Sequence, residues 1–168
     1  MKKIAFLTLL LSLFLACKDY EQDIRGIPDP AQVKTVEPES EYTIEEQAEQ
    51  LQQQGFHTFS YEEADTTYLM QQYYIVFLKS GTTRSQDSTE AAQLQEQHLA
   101  HLSRMAAEGY LSLVGPFGDD GDIRGIAVYN TPTQQMADSL ARIDPMVKAG
   151  RLEIEVHPWW AAKGGKLK

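Results

Sequence analysis

Residues 110–130 read YLSLVGPFGDDGDIRGIAVYN, and this stretch decides the fold. Two runs rich in β-branched and aromatic residues, 110–117 and 123–130, flank the turn-forming sequence GDDGD at 118–122. β-branched and aromatic side chains favour strands, whereas glycine and aspartate favour tight turns. The stretch therefore predicts two consecutive strands, paired around a short turn, in the middle of the domain.

Upstream of this pair, the sequence predicts a strand at residues 72–79 and a long helix at 88–108. A polar loop, 80–87, joins them, and Gly109 ends the helix. Residues three or four apart lie on one face of a helix, and here they form an apolar stripe with His98 near its centre. The stripe consists of Ala91, Leu94, His98, Leu102 and Met105.

Downstream of the pair, Thr131 is expected to cap a second helix and Pro132 to begin it. The dipeptide Asp144-Pro145 should end that helix, because the residue before proline is disfavoured in the α region. A last strand is predicted at residues 152–157. The complete order is β-α-β-β-α-β, which defines a ferredoxin-like α+β fold.

The alternation of apolar and polar residues at 152–157 indicates a sheet with two different faces. The helices cover one face, and a second copy of the sheet is the natural cover for the other. We therefore expect a homodimer. Trp159 and Trp160, directly after this strand, are expected to pack in the core or at the dimer interface, or alternatively to line the mouth of a pocket.

An N-terminal helix and two strands are predicted before the core. Thr43 and Glu46 match a capping box, and the helix that they begin should end at Gly55. Strands are expected at residues 56–61 and 66–78, joined by a turn. This segment elaborates the core domain at its N-terminal side.

Residues 1–16 have the pattern of a secretory signal, in which Lys2 and Lys3 precede a short apolar run. The run is shorter than the ~20 residues that a membrane-spanning helix needs. The junction Ala16-Cys17 resembles the lipobox of bacterial lipoproteins, which implies that Cys17 becomes the first mature residue and carries acyl chains. The alternative is an ordinary secretory signal with an incidental cysteine.

Residues 17–41 combine three prolines with many charges and have no apolar periodicity, which is typical of a flexible tether. A docked extended arm is the alternative. Together with the lipobox, the tether predicts a protein anchored in the bacterial cell envelope, at the periplasmic or surface face of an outer membrane. The predicted parts are the signal peptide 1–16, the lipidated cysteine and tether 17–41, the helix/strand extension 42–70, the α+β domain 71–164 and a basic tail 165–168.

Composition excludes several classes of function. The chain has 15 Lys+Arg, 24 Asp+Glu and a net charge of -9, which argues against nucleic acid binding because phosphate contacts need clustered Lys and Arg. Its one cysteine excludes an internal disulfide and any CxxC metal site. The sequence contains no GxSxG, P-loop or GxGxxG motif, so no cofactor is expected.

His98 and Asp144 are the candidate site residues. From spacing alone, His98 is either a core histidine held by a backbone carbonyl or a pocket histidine that a carboxylate orients for acid–base chemistry. Asp144 is the carboxylate to consider, although Asp before Pro is also a common helix stop. Metal binding by His98 with His101, or by the aspartates of the turn 118–122, is disfavoured because neither set has a complete ligand pattern.

The sequence resembles the YciI-like (YCII-related) domain family over residues 72–164. The resemblance implies a ferredoxin-like domain that pairs into a dimeric α+β barrel, similar to muconolactone isomerase. It also implies a histidine–aspartate active site, which corresponds to His98 and Asp144. Most members have no assigned reaction, and one relative is a dehydrochlorinase of a chlorinated hydroxyquinol. The segments that carry the resemblance are HLAHL at 98–102, EGYLSLVGPF at 108–117, GDIRG at 121–125, DPMVKAG at 144–150 and HPWW at 157–160.

From these features we expect an envelope lipoprotein whose domain uses His98 and Asp144 for proton transfer on a small aromatic or lactone-like compound. The alternative is a non-catalytic binding or interaction module for a small molecule at the envelope. A lipid anchor with a tether favours this alternative, because it resembles the delivery of a receptor-like domain to a surface. A ligand that co-purifies and emerges chemically unchanged would distinguish the two.

Overall fold

The computed structural model describes residues 42–167. The predicted signal peptide, the predicted lipidation site Cys17 and the predicted tether lie outside these residues. Across 42–167, every helix is too short or too polar to cross a membrane. The elements are α1 (Ile44–Gln53), β1 (Thr58–Glu63), β2 (Thr66–Ser80), α2 (Ser88–Ala107), β3 (Leu111–Pro116), β4 (Ile123–Tyr129), α3 (Gln134–Arg142), α4 (Pro145–Lys148) and β5 (Leu152–Ala162).

Strand β2 is the centre of an antiparallel sheet. Strand β5 pairs along one edge of β2, from Met70↔Ala162 to Ser80↔Leu152. Strand β4 pairs along the other edge, and β3 pairs with β4. The resulting order β5-β2-β4-β3, with α2 and α3 as the long connections, is the ferredoxin-like arrangement that the element order predicts. The predicted fold class is confirmed.

The N-terminal extension adds a helix and a hairpin to this core. The predicted capping box is present, because the Thr43 hydroxyl accepts from the Glu46 amide while the Glu46 carboxylate accepts from the Thr43 amide. Strand β1 pairs with the first half of β2 across a turn in which Ala64 and Asp65 have positive φ. Since β2 is one continuous strand, the predicted boundary between residues 70 and 71 falls inside it.

The start of α3 differs from the prediction. Thr133, not Thr131, is the N-cap, and its hydroxyl accepts from the Met136 amide at 3.2 Å. Thr131 is fully buried and donates to the Thr133 carbonyl at 3.1 Å. The predicted cap at Thr131-Pro132 is therefore wrong. The physical reason is that the sheet ladder continues past β4, where the Asn130 amide donates to Tyr110, so the chain turns two residues later.

Strand β5 is longer than predicted, because it continues through Pro158 to Ala162 rather than ending at residue 157. Among the described residues, β5 is an edge strand that pairs with β2 alone, and such strands leave alternate N–H groups without a ladder partner. A proline, which lacks an N–H, is therefore tolerated there. The longer strand pairs with β2 as far as Met70, in the part of β2 that also forms the hairpin with β1.

The main core lies between the sheet and the helices. The even-numbered residues of β2, Tyr74, Val76 and Leu78, are buried against apolar residues of α2 and α3. Side chains alternate along a strand, so Ile75 and Phe77 lie on the opposite face, where both are half-buried. Further members of the core are Leu102, Met105, Leu111, Ala127, Tyr129, Ala137, Ala141, Met146 and Leu152.

Candidate functional site

His98 and Asp144 form a buried hydrogen-bonded pair, although 46 residues separate them in the sequence. The distance from His98 Nδ1 to Asp144 Oδ2 is 2.6 Å. Both side chains are almost completely buried, with 7% of His98 and 2% of Asp144 exposed. The other carboxylate oxygen, Oδ1, accepts from the Met146 amide at 2.8 Å. Because both oxygens have partners, the orientation of the carboxylate is fixed.

The dipeptide Asp144-Pro145 explains how the carboxylate reaches this position. It ends α3 as predicted, and it also begins α4, with Asp144 as N-cap and Pro145 in the first turn. An N-cap carboxylate is stabilised by the amides at the helix start. Helix α4 packs on α2, so the cap residue comes within reach of His98. The helix stop and the carboxylate partner, which were alternatives in the sequence, are one feature in the structure.

The hydrogen bond sets the state of the His98 ring. A carboxylate oxygen accepts, so Nδ1 carries the proton that it donates to Asp144. In the neutral ring, Nε2 is then the atom with a free lone pair. Nε2 has no hydrogen-bond partner within residues 42–167, and His98 borders a cavity. The arrangement can accept or return a proton at Nε2.

The cavity beside His98 has a volume of about 430 Å³. This size is in the range of small-molecule sites, which are roughly 300–1,000 Å³. Most of its wall is apolar and comes from α2, α4 and the sheet; its polar lining residues are His98, Gln95, Arg84, Arg124 and Arg151. An apolar cavity with a few convergent polar groups is the usual form of a ligand site.

His101 is a core histidine and does not border this cavity. Its Nδ1 accepts from Arg104, and its Nε2 has no partner in hydrogen-bond geometry among the described residues. Burial lowers the pKa of His101, and the positive charge of Arg104, together with that of His98 when its ring is protonated, lowers it further. The Asp144 carboxylate and the Leu140 carbonyl oppose this shift without reversing it. The ring is therefore held neutral.

Tyr129 is also buried close to Asp144. Burial raises the pKa of its phenol, and the negative charge of Asp144 raises it further. The phenol therefore stays protonated at neutral pH.

Within residues 42–167, no group of three or more His, Cys, Asp and Glu side chains is arranged to hold a metal ion.

The two tryptophans lie on opposite faces of β5, and neither borders the cavity beside His98. The Trp160 ring packs on Phe59, with 5.0 Å between centroids. The Trp159 ring lies 6.4 Å from that of Tyr73 and borders a second cavity, on the sheet face that the main core leaves free.

The arginines of the cavity are the residues that the sequence analysis did not identify. Arg124 lies in the GDIRG segment at 121–125, but Arg84 and Arg151 belong to connecting segments without any spacing signal. Only the tertiary fold brings them together. The sequence shows arginines at these positions of an acidic protein, but it does not show that they converge on one cavity.

A ferredoxin-like domain with a buried histidine–aspartate pair beside a ligand-sized cavity is the class that the fold and site define. The YCII-related domain model matches residues 73–160, and the chain belongs to this family. Comparison with curated proteins finds no match. The chain is similar to a solved structure of 5-chloro-2-hydroxyhydroquinone dehydrochlorinase from Burkholderia phenoliruptrix AC1100, in complex with 2,5-dihydroxybenzoquinone. The two are 22% identical, with a TM-score of 0.40, and the match covers 52% of this chain and 92% of the dehydrochlorinase chain.

Proposed function

We propose that the domain is an enzyme that moves protons on a small aromatic or lactone-like compound, with His98 as acid–base catalyst and Asp144 as its positioning residue. The observation that carries the proposal is the 2.6 Å bond between Nδ1 and Oδ2, which leaves Nε2 available beside the cavity. The exposed His157 also bonds to a carboxylate, that of Glu155, but it does not border this cavity.

The chemistry requires no co-reactant. Nε2 takes a proton from a C–H or O–H group of the bound compound, and the ring becomes an imidazolium whose charge Asp144 stabilises. The imidazolium, which can exchange its proton with solvent, then protonates another atom of the compound and so isomerises it. Alternatively, a leaving group departs with its bonding electron pair, and the ring releases its proton to solvent. A positioned base of this kind accelerates proton transfer by about 10²–10⁴-fold.

The test is proton exchange with solvent, because it needs no knowledge of the product. Hydroxylated aromatic compounds and unsaturated lactones are incubated with the full chain in D₂O, and deuterium incorporation is followed by NMR. We expect incorporation into at least one compound, and a loss of about 10²-fold or more in His98→Asn. His57→Asn is the matched control, because His57 is exposed and remote from the cavity lining.

Two results would contradict the enzyme. Incorporation that survives in His98→Asn would remove His98 from the chemistry. A compound that binds at the cavity and is always recovered without deuterium and unchanged would instead support the non-catalytic binding module.

We also propose that two copies pair through the sheet face opposite the main core. Support comes from the apolar residues of that face, which include Ile75, Phe77 and Ile126, all half-buried in one copy. Leu113 and Trp159 on the same face are 39% and 43% exposed. Burying such a surface is favourable by roughly 25 cal/mol per Å².

Finally, we propose that Cys17 anchors the protein in the bacterial envelope through acyl chains. The support is the sequence pattern alone, a signal-like segment at 1–16 that ends at the single cysteine. Expressed in bacteria, the full chain should partition into the detergent phase of Triton X-114 and label with palmitate. Cys17→Ser should lose both properties. Equal partitioning and labelling of the two proteins would disprove the anchor.

A further inference from the structure

The cavity beside His98 is lined by charges of one sign. Arg84, Arg124 and Arg151 approach it from three separate segments, and no aspartate or glutamate of residues 42–167 is among its lining residues. The Asp144 carboxylate bonds to His98 but is not itself among the lining residues. The cavity is therefore electropositive, although the whole chain has a net charge of -9.

Among the described residues, the three arginines have only neutral partners. Within residues 42–167, no carboxylate lies within ion-pair distance of any of them. By contrast, Arg142 on the surface of α3 forms a two-point contact with Asp138. The side-chain contacts are Arg84 to the Gly81 carbonyl at 3.4 Å, Arg124 to the Gly121 carbonyl at 3.1 Å, and Arg151 to Gln86 Oε1 at 3.2 Å.

These contacts leave donors unused. A guanidinium has five N–H donors in a planar fork, and each of these three contacts uses one nitrogen. A carboxylate accepts two parallel N–H bonds from such a fork, and charge-assisted bonds of this kind are about twice as strong as neutral ones. The remaining wall, which includes Leu78, Leu102 and Val114, is apolar and suits a ring rather than a second charged group.

We propose that the compound bound in this cavity is a small organic carboxylate with an apolar, aromatic or lactone ring. This inference rests on the proposed function and names its substrate class. The arginines hold the carboxylate, the apolar wall holds the ring, and the ring carbons lie next to His98. Positive charge near the reacting atoms also stabilises the negative charge that forms when a proton leaves.

The test is a comparison of two probes of equal shape, 1-naphthoate and the neutral 1-naphthamide. The full chain is prepared with isotope-labelled histidine rings, and each probe is titrated while the His98 signals are followed. We expect 1-naphthoate to bind about tenfold more tightly than 1-naphthamide. Arg151→Gln and Arg124→Gln should each weaken 1-naphthoate by about fivefold or more, and change 1-naphthamide by less than about twofold.

Arg142→Gln is the matched control, because it removes the same charge from a residue outside the cavity. It should leave both affinities unchanged, and thermal unfolding followed by circular dichroism checks that each variant is folded. The proposal is overturned if the two probes bind equally, if neither binds, or if Arg142→Gln weakens 1-naphthoate as much as Arg151→Gln. Because the readout is binding, these results are independent of whether His98 exchanges protons.

Discussion

Two histidines three residues apart on α2 have opposite environments. His98 donates to Asp144 and borders the cavity, whereas His101 is enclosed in the core with Nε2 unpartnered among the described residues. Both are buried, with 7% of His98 and 5% of His101 exposed, so burial alone does not separate them. The difference is the carboxylate, which bonds to one ring only.

The Asp144→Asn variant tests this difference directly. An asparagine can keep its oxygen toward the Met146 amide, but its NH₂ group would then face Nδ1 of His98 and donate to it. The ring proton would move to Nε2, the atom that must accept the substrate proton. We expect the deuterium incorporation rate to fall by about 10²–10⁴-fold.

The tautomer itself is measured by the ¹⁵N shifts of the His98 ring, which needs no substrate. The protein should show a proton on Nδ1, and Asp144→Asn should show it on Nε2. If the variant keeps the Nδ1 proton and full exchange, Asp144 does not position the base.

His101 predicts a pH dependence of stability. Burial lowers its pKa below the ordinary value of 6.5, so the unfolded chain binds this proton more tightly than the folded one. Stability is therefore lost as pH falls through about 6.5 toward the lower pKa of the folded state. In urea unfolding between about pH 7 and pH 5, the free energy of unfolding should depend less steeply on pH in His101→Leu. The difference corresponds to the uptake of at most one proton, or at most ~1.4 kcal/mol per pH unit. Identical slopes in the two proteins would contradict this prediction.

At the scale of elements, the end of β2 is joined to the start of β5 by close backbone contact. The Gly81 amide donates to the Arg151 carbonyl, and the Thr83 amide donates to the Gly150 carbonyl, both at 3.0 Å. These bonds hold the backbone of Arg151 beside the cavity. A side chain at residue 81 would disturb both the sheet and the site.

Gly81→Ala should therefore be destabilising. Its Cβ would overlap the Gly150 carbonyl oxygen and lie 2.8 Å from the Arg151 carbonyl carbon, and backbone atoms cannot move aside as side chains do. We expect a loss of about 1–3 kcal/mol in the free energy of unfolding, measured with urea. Gly118→Ala is the control, because its Cβ would meet nothing within 4 Å, and it should change stability by less than about 0.5 kcal/mol.

The elements that the sequence predicts well are those with local signals. The strand pair around 118–122 and the long helix α2 follow from residue types and periodicity over short distances. The cap of α3 was predicted at the wrong threonine because Thr131 and Thr133 satisfy the same local rule. Only the continued ladder at Asn130 decides between them.

The site could be predicted only in part for the same reason. Asp144 was identifiable because one dipeptide both ends a helix and supplies a carboxylate. The convergence of Arg84, Arg124 and Arg151 depends on loops and strands that meet only after folding, so no spacing in the sequence reports it.

At the scale of the whole molecule, the candidate site and the proposed dimer interface lie on opposite faces of the sheet. The cavity and His98 lie on the helix-covered side, whereas Phe77 and its cross-strand neighbour Ile126 lie on the other. An assembly through the second face would leave the cavity accessible. Dimerisation and ligand binding should therefore be separable by mutation.

Ile126→Lys tests the assembly, because it places a charge in the middle of the proposed interface. Burying an unpaired ammonium is strongly unfavourable, so the variant should be a monomer in light scattering, whereas the parent protein should have twice the monomer mass. Ile143→Lys makes the same change at the end of α3, where Ile143 is 40% exposed, and should remain a dimer. A monomeric parent protein, or a dimeric Ile126→Lys, would exclude this face as the interface.

Because Ile126 is not among the cavity lining residues, a folded monomeric Ile126→Lys should still bind 1-naphthoate with the affinity of the parent.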